Sequence, residues 1–203
     1  MRLSLIFAVS ATVALTGCLD VEDPGTGPGE QEVITTVTLS FAPEGGGAPL
    51  VFSHADPEND GGPVIDPIAL DLGTNYALSV QFQNELEDPA EDITVEVKDE
   101  GFEHQVFIYG SGVQSPATAT NAGALIEVAY TDTDDNDLPV GLDNSVGAIS
   151  AGTGELKLML RHLPPENDTV VKVDGLAADF ANDGSAGIPG EVDADVTFPI
   201  TVE

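Results

Sequence analysis

The sequence predicts an all-β protein: an antiparallel β-sandwich of about 8–10 strands, immunoglobulin-like or jelly-roll-like. Three observations carry this. Apolar residues recur at every second position over several long runs, Gly-, Pro- and Asp-rich turns interrupt them at short intervals, and helical periodicity is scarce. A polypeptide of 203 residues is long enough for one domain with a real core.

The alternation starts near Val33, where Val33, Thr35, Val37, Leu39 and Phe41 share one face. Tyr76, Leu78, Val80 and Phe82 repeat the arrangement, as do Leu156, Leu158 and Leu160 and finally Val192, Ala194, Val196, Phe198 and Ile200. In that last run Asp193, Asp195 and Thr197 read as the wet face, and Pro199 marks a sheet edge or a bulge. Shorter strands are expected at Leu50 to His54, Val64 to Leu70, Val106 to Tyr109, Leu125 to Tyr130, Val146 to Ser150 and Val170 to Val173. One segment breaks the pattern. Asp88, Pro89 and Glu91 resemble a capping box, which predicts one short helix from 89 to about 99.

The N-terminus has a different logic. Arg2 precedes an apolar run, Leu3 to Leu15, too short for a membrane helix of roughly 20 residues but suited to a secretory signal. Leu15-Thr16-Gly17-Cys18 then resembles a bacterial lipoprotein signal, which implies that residues 1–17 are removed and that Cys18, the chain's single cysteine, is lipidated, with palmitate among its acyl groups. Two or three acyl chains anchor firmly, since each buried CH₂ contributes about 0.8 kcal/mol. Lipidated Cys18 leaves no thiol for a disulfide, a metal or catalysis. Residues 18–32 read as the lipidated cysteine and a flexible acidic tether, and 33–203 as the single β-sandwich domain. Leu19, rather than Asp, follows Cys18, so an outer-membrane destination is expected.

Five Lys and Arg against 36 Asp and Glu give a formal charge of −31. Such a surface excludes nucleic acid, whose condensed counterions gain nothing from a second polyanion. The membrane is therefore met through the lipid and not through surface charge.

Three histidines, His54, His104 and His162, fall at strand margins amid acids. Imidazoles with Glu100 and Glu103 offer the mixed N/O ligands of a zinc or copper(II) site. Capture by neutral imidazoles predicts affinity that falls below about pH 6. Two acidic turns suggest calcium: Asp132, Asp134 and Asn136 in one, Asp56, Glu58 and Asp60 in the other. Neither is an EF-hand. Asp137 stands where that loop needs Gly, and the second turn has no acid at position 12. The catalytic motifs G-x-S-x-G and H-E-x-x-H and a phosphate-binding loop are absent from the sequence.

Several stretches carry a family resemblance: Glu103-His104-Gln105-Val106-Phe107, Tyr130-Thr131-Asp132-Thr133-Asp134, Leu160-Arg161-His162 and Asp193-Ala194-Asp195-Val196-Thr197-Phe198-Pro199. Others are Glu32 to Val37, Asp56 to Ile65 and Pro89 to Thr94. Together they resemble a family of uncharacterised lipoproteins from Bacteroidetes and related bacteria, some labelled "type 1 periplasmic binding fold". That label describes two doubly wound α/β lobes, which period-two alternation does not fit. The resemblance implies a single-domain envelope lipoprotein and favours His104 with His162 over His54. Function is accordingly expected to be non-enzymatic: binding a divalent cation or serving as accessory to an outer-membrane transporter. The alternatives are a structural or adhesion module with calcium-stiffened loops and, less favoured, an envelope hydrolase.

Overall fold

The computed structural model describes residues 32–166 and 169–203. The signal peptide, Cys18 and nearly all of the tether lie outside the described residues. Elements follow in the order β1 Thr36–Pro43, β2 Leu50–Ala55, β3 Val64–Ile65, β4 Ile68–Leu70, β5 Asn75–Asn84, β6 Glu91–Asp92, α1 Ile93–Asp99, β7 His104–Tyr109, β8 Val113–Gln114, β9 Ile126–Tyr130, β10 Asp143–Ala148, β11 Gly152–His162, α2 Leu176–Asp183 and β12 Glu191–Val202. Two short 3-10 turns, Gly101–Glu103 and Ser185–Gly187, complete the list. Among the described residues no helix is long and apolar enough to cross a membrane.

The strands form two sheets. One runs β3-β2-β1-β5-β10-β9-β8, with β6 attached to β5, and the other runs β4-β12-β11-β7. The protein is thus all-β and sandwich-like, but not purely antiparallel: β4 pairs β12 and β8 pairs β9 in parallel. Both exceptions are short strands that leave one sheet edge and return at another.

The predicted alternating rows meet between the sheets. Val37, Leu39 and Phe41 of β1 and Tyr76, Leu78, Val80 and Phe82 of β5 face Leu156, Leu158 and Leu160 of β11 and Ala194 to Val202 of β12 in one buried cluster. Phe41 packs edge-on against Tyr76, ring centroids 6.1 Å apart, an arrangement favoured by the ring quadrupoles. Pro199 opposes Glu155 of β11, and the β4 pairing on its other side starts only at Ile200, so the missing N–H falls where the strand is an edge.

A second cluster covers the outer face of the smaller sheet. Leu176 and Phe180 of α2 pack on Phe107, Met159 and Leu163, with Phe107 and Phe180 stacked at 4.7 Å. Strands β7 and β11 are consequently buried on both faces, β7 almost throughout and β11 over its second half.

Four local expectations are corrected. The helix starts at Ile93, not at 89. Asp92 caps it by accepting from the Thr94 amide, while Asp88-Pro89 is a cis peptide and Glu91–Asp92 pairs with β5. The run from Val64 to Leu70 is broken at Asp66-Pro67 into β3 and β4, which belong to different sheets. Val170 to Val173 is not a strand, and α2 occupies a stretch with no predicted element.

Candidate metal centre

His104 opens β7 and His162 closes β11, and the antiparallel register sets them directly opposite each other. Both continue the inward rows of their strands, beyond Val106 and Leu160. A directly opposed pair brings Cβ atoms to about 5 Å. The imidazoles stack accordingly, with centroids 4.6 Å apart and planes 9° apart. They are 0% and 2% exposed.

The third member is Asp193, and a bulge puts it there. Leu160 pairs with Ala194 but Arg161 with Val192, so Asp193 is the extra residue of β12. Ala194 faces the inner core while Val192 packs on the outer cluster, so the alternation changes phase at this point. Asp193, assigned to a wet face by simple period two, turns inward instead. Its Oδ2 reaches 3.7 Å from His104 Nε2, both side chains being 0% exposed.

The polar atoms of this cluster are unusually short of partners. His104 Nε2, His162 Nε2 and both Asp193 oxygens are buried without a hydrogen bond. The Glu32 amide lies near enough to favour the Asp193 charge, but not in hydrogen-bonding geometry. His104 Nδ1 lies 3.1 Å from the Glu100 carbonyl oxygen. A carbonyl only accepts, so Nδ1 carries the proton and neutral His104 presents a bare Nε2 lone pair to the Asp193 carboxyl. Two electron-rich atoms face each other there, which calls for a proton or a cation between them.

Burial pushes the His104 imidazole down to about 4, with the His162 and Lys172 charges acting in the same direction against the Glu100 carbonyl. Burial likewise raises Asp193 to about 7, with Glu191 adding repulsion and the Glu32 amide and the Arg161 charge opposing it. Glu32 is raised to about 8, first by burial and then by Glu96, Asp193 and Glu100. Burial thus holds His104 neutral and makes Asp193 and Glu32 resist ionisation, as expected of ligand groups shielded from water.

Around this core stand the remaining acids. Glu103 Oε2 is 3.6 Å from His162 Nε2. Glu96 of α1 and Glu100 at its C-cap, four positions apart, each bring a carboxylate oxygen within 4.8 Å of one from Glu32. Three ligand sets, each with atoms within 4.8 Å of one another, result: His104, His162 and Asp193; Glu100, Glu103 and His162; Glu32, Glu96 and Glu100.

Of the five residues that sequence reading nominated for a metal, the structure brings together His104, His162, Glu103 and Glu100. His54 stands apart on β2, its ring edge-on to Phe198 at 6.1 Å, and shares with Asp56 and Asp193 only the lining of a shallow surface cavity. Asp193 and Glu32 are not legible in the alternation: the doubled step of a bulge leaves no mark there, and Glu32 falls in the acidic stretch before β1.

The two acidic turns serve their own backbone. Asp132 accepts from the Gly141 and Leu142 amides, and Asp134 Oδ1 from the Asn136 and Leu138 amides. Asp134 Oδ2 takes the Lys172 ammonium at 2.9 Å, and that ammonium also donates to the Gly101 carbonyl. The cation at this turn is therefore a lysine of the chain itself. Asp56 accepts from the Asp60 and Gly61 amides and Asp60 from Gly62, while Glu58 is exposed.

Fold and site define a two-sheet β-sandwich with a buried cluster of two stacked histidines and carboxylates at one end. No protein-family model, curated protein or solved structure matches the chain.

Proposed function

We propose that the protein is an envelope-anchored, non-enzymatic lipoprotein whose β-sandwich binds one divalent transition-metal ion through His104, His162 and Asp193, with Glu103 as the fourth ligand. One observation carries the reading. The Nε2 atoms of both histidines and both oxygens of Asp193 are buried without hydrogen bonds at the same place, with one ligand atom from each residue inside 4.8 Å.

Two imidazoles and carboxylates are borderline ligands, which favours zinc or copper(II) over calcium or magnesium. The Glu100 carbonyl on His104 Nδ1 fixes the tautomer that frees Nε2, the role such partners play behind metal-bound histidines. Zinc–nitrogen bonds of about 2.0–2.1 Å require lone pairs that converge. Loading therefore tilts the two rings out of their parallel stack and draws the ligands together. The absence of hydrolase motifs, together with the Cys18 signal, supports an accessory or cation-holding role at the membrane over catalysis.

Isothermal titration of zinc and copper(II) tests this. Wild-type protein should take up one ion, and the His104→Ala, His162→Ala double variant none. Equal heats from both proteins, or no heat from the wild type, would sink the proposal.

A further inference from the structure

Glu32, Glu96 and Glu100 share no ligand with the triad of His104, His162 and Asp193, and their chemistry differs. One carboxylate oxygen from each lies within 4.8 Å of the others. Three anionic oxygens without an imidazole form a hard ligand set. Oxygens inside 4.8 Å of one another can share a calcium ion, whose bonds of 2.3–2.6 Å set opposed ligands up to about 5 Å apart and tolerate irregular geometry.

An acidic cluster alone proves little, but Glu32 adds an independent observation. It is only 4% exposed, and its Oε2 is buried without a hydrogen bond. Lys98, the basic residue of α1, is exposed and lies two positions from both Glu96 and Glu100, on another side of the helix. No lysine or arginine ion pair with these three acids occurs among the described residues. Three carboxylates held close, one of them buried with an unpartnered oxygen, need a proton or a cation among them to be stable together.

The position of Glu32 gives the site a consequence. It lies in the segment that enters β1, whereas Glu96 and Glu100 belong to α1 and its C-terminal cap. We propose that Glu32, Glu96 and Glu100 bind a calcium ion that fastens the segment preceding β1 to α1. The site is all-oxygen and shares no ligand with the proposed zinc site, although Glu100 also lies beside Glu103 and His162, and in an anchored protein it would set how firmly the body is held to its tether.

Calcium titration of the full-length protein by calorimetry tests the proposal, with zinc titrated in parallel. The expected result is one calcium bound, with a dissociation constant in the ~10⁻⁴–10⁻³ M range of extracellular modules or tighter. The Glu32→Gln, Glu96→Gln variant should weaken calcium at least about tenfold and leave zinc binding unchanged, while His104→Ala, His162→Ala should lose zinc and keep calcium. Calcium should also slow proteolysis just before Val33 in the wild type and not in the variant. Glu32→Gln alone serves if the double variant melts early. Calcium binding by Glu32→Gln equal to wild type, or no calcium uptake by the wild type, overturns the proposal, whatever zinc does.

Discussion

Asp193 of β12 and His104 of β7 meet at 3.7 Å although the whole of β11 lies between their strands. A regular ladder would keep residues of β12 and β7 roughly 10 Å apart. The bulge at Asp193, which frees one residue from pairing with β11, allows the reach. Bulges are found next to functional sites because they re-aim a side chain. This one converts a residue that period two assigns to solvent into the buried carboxylate of the cluster.

Asp193→Asn keeps the shape and removes the charge. In metal-free protein this variant should be more stable than wild type at pH 8, where the wild type carries an unpaired buried carboxylate. The advantage should shrink at pH 5, where Asp193 is protonated, because burial has raised it to about 7. Zinc affinity should drop by at least about tenfold, or 1.4 kcal/mol. Thermal melts at the two pH values and a zinc titration check both halves.

The stability that zinc adds should shrink as pH falls from 8 to 6.5, while the metal-free protein gains stability over the same window. The folded state raises Glu32 to about 8 and Asp193 to about 7, whereas the unfolded chain ionises both near ordinary carboxylate values. As pH falls through 8 and 7 the folded state takes up protons and the unfolded state does not. Metal-free stability therefore rises, by up to about 1.4 kcal/mol per pH unit for each proton taken up. Below 6.5 His104 works the other way: the unfolded histidine protonates while the folded one waits until about 4, so its contribution is lost across that window. In the loaded protein protons compete with zinc for Asp193 and the histidines, so the stability that zinc adds should shrink on acidification from pH 8. Melting temperatures with chelator and with zinc should converge as pH falls from 8 to 6.5, and a gap that stays constant would contradict this.

The structure explains how much of this was legible beforehand. Rows such as Val37-Leu39-Phe41 and Leu156-Leu158-Leu160 face a single core with one wet or flanking side, so alternation reports them faithfully. His104 and His162 were visible because histidine is rare here and both end predicted strands. What escaped depends on long-range pairing. The bulge shows only when β12 is laid against β11. Lys172, on a stretch that reads as a strand, is instead an irregular segment sending one ammonium to Asp134 across 38 positions of chain. Helix α2 has just Leu176 and Phe180 as buried contacts, too few to stand out from a loop.

Lys172 and Asp134 predict a conventional buried-pair phenotype. The ammonium is 1% exposed and its partner 2%. Asp134→Ala strands the charge and unties the Asn136 and Leu138 amides, and should cost about 3–5 kcal/mol. Lys172→Met, which fills similar volume, should cost less. Burial raises Asp134, but Lys172 and the two amides outweigh it and hold the carboxyl below its ordinary value. The stability of the pair is thus present above the unfolded carboxylate range and is lost as pH falls through the folded value. Urea unfolding at pH 7 and pH 3 should show the gap between wild type and Asp134→Ala narrowing in acid.

The last prediction concerns Gly190, just before β12 begins. It adopts φ +76°, and a Cβ there would stand 2.0 Å from the His162 carbonyl oxygen. Gly175, at φ +91° before α2, has open space in the same position. Gly175→Ala should therefore cost only the left-handed conformation, about 1–2 kcal/mol. Gly190→Ala pays the same conformational cost and must also push β11 back at His162. It should be the more destabilising of the two, and it alone should lower zinc affinity, because His162 moves relative to His104 and Asp193. Parallel melts and zinc titrations of the two variants separate strain in the backbone from displacement of a ligand. Equal zinc affinity in Gly190→Ala and Gly175→Ala would show that the backbone at His162 does not position the cluster.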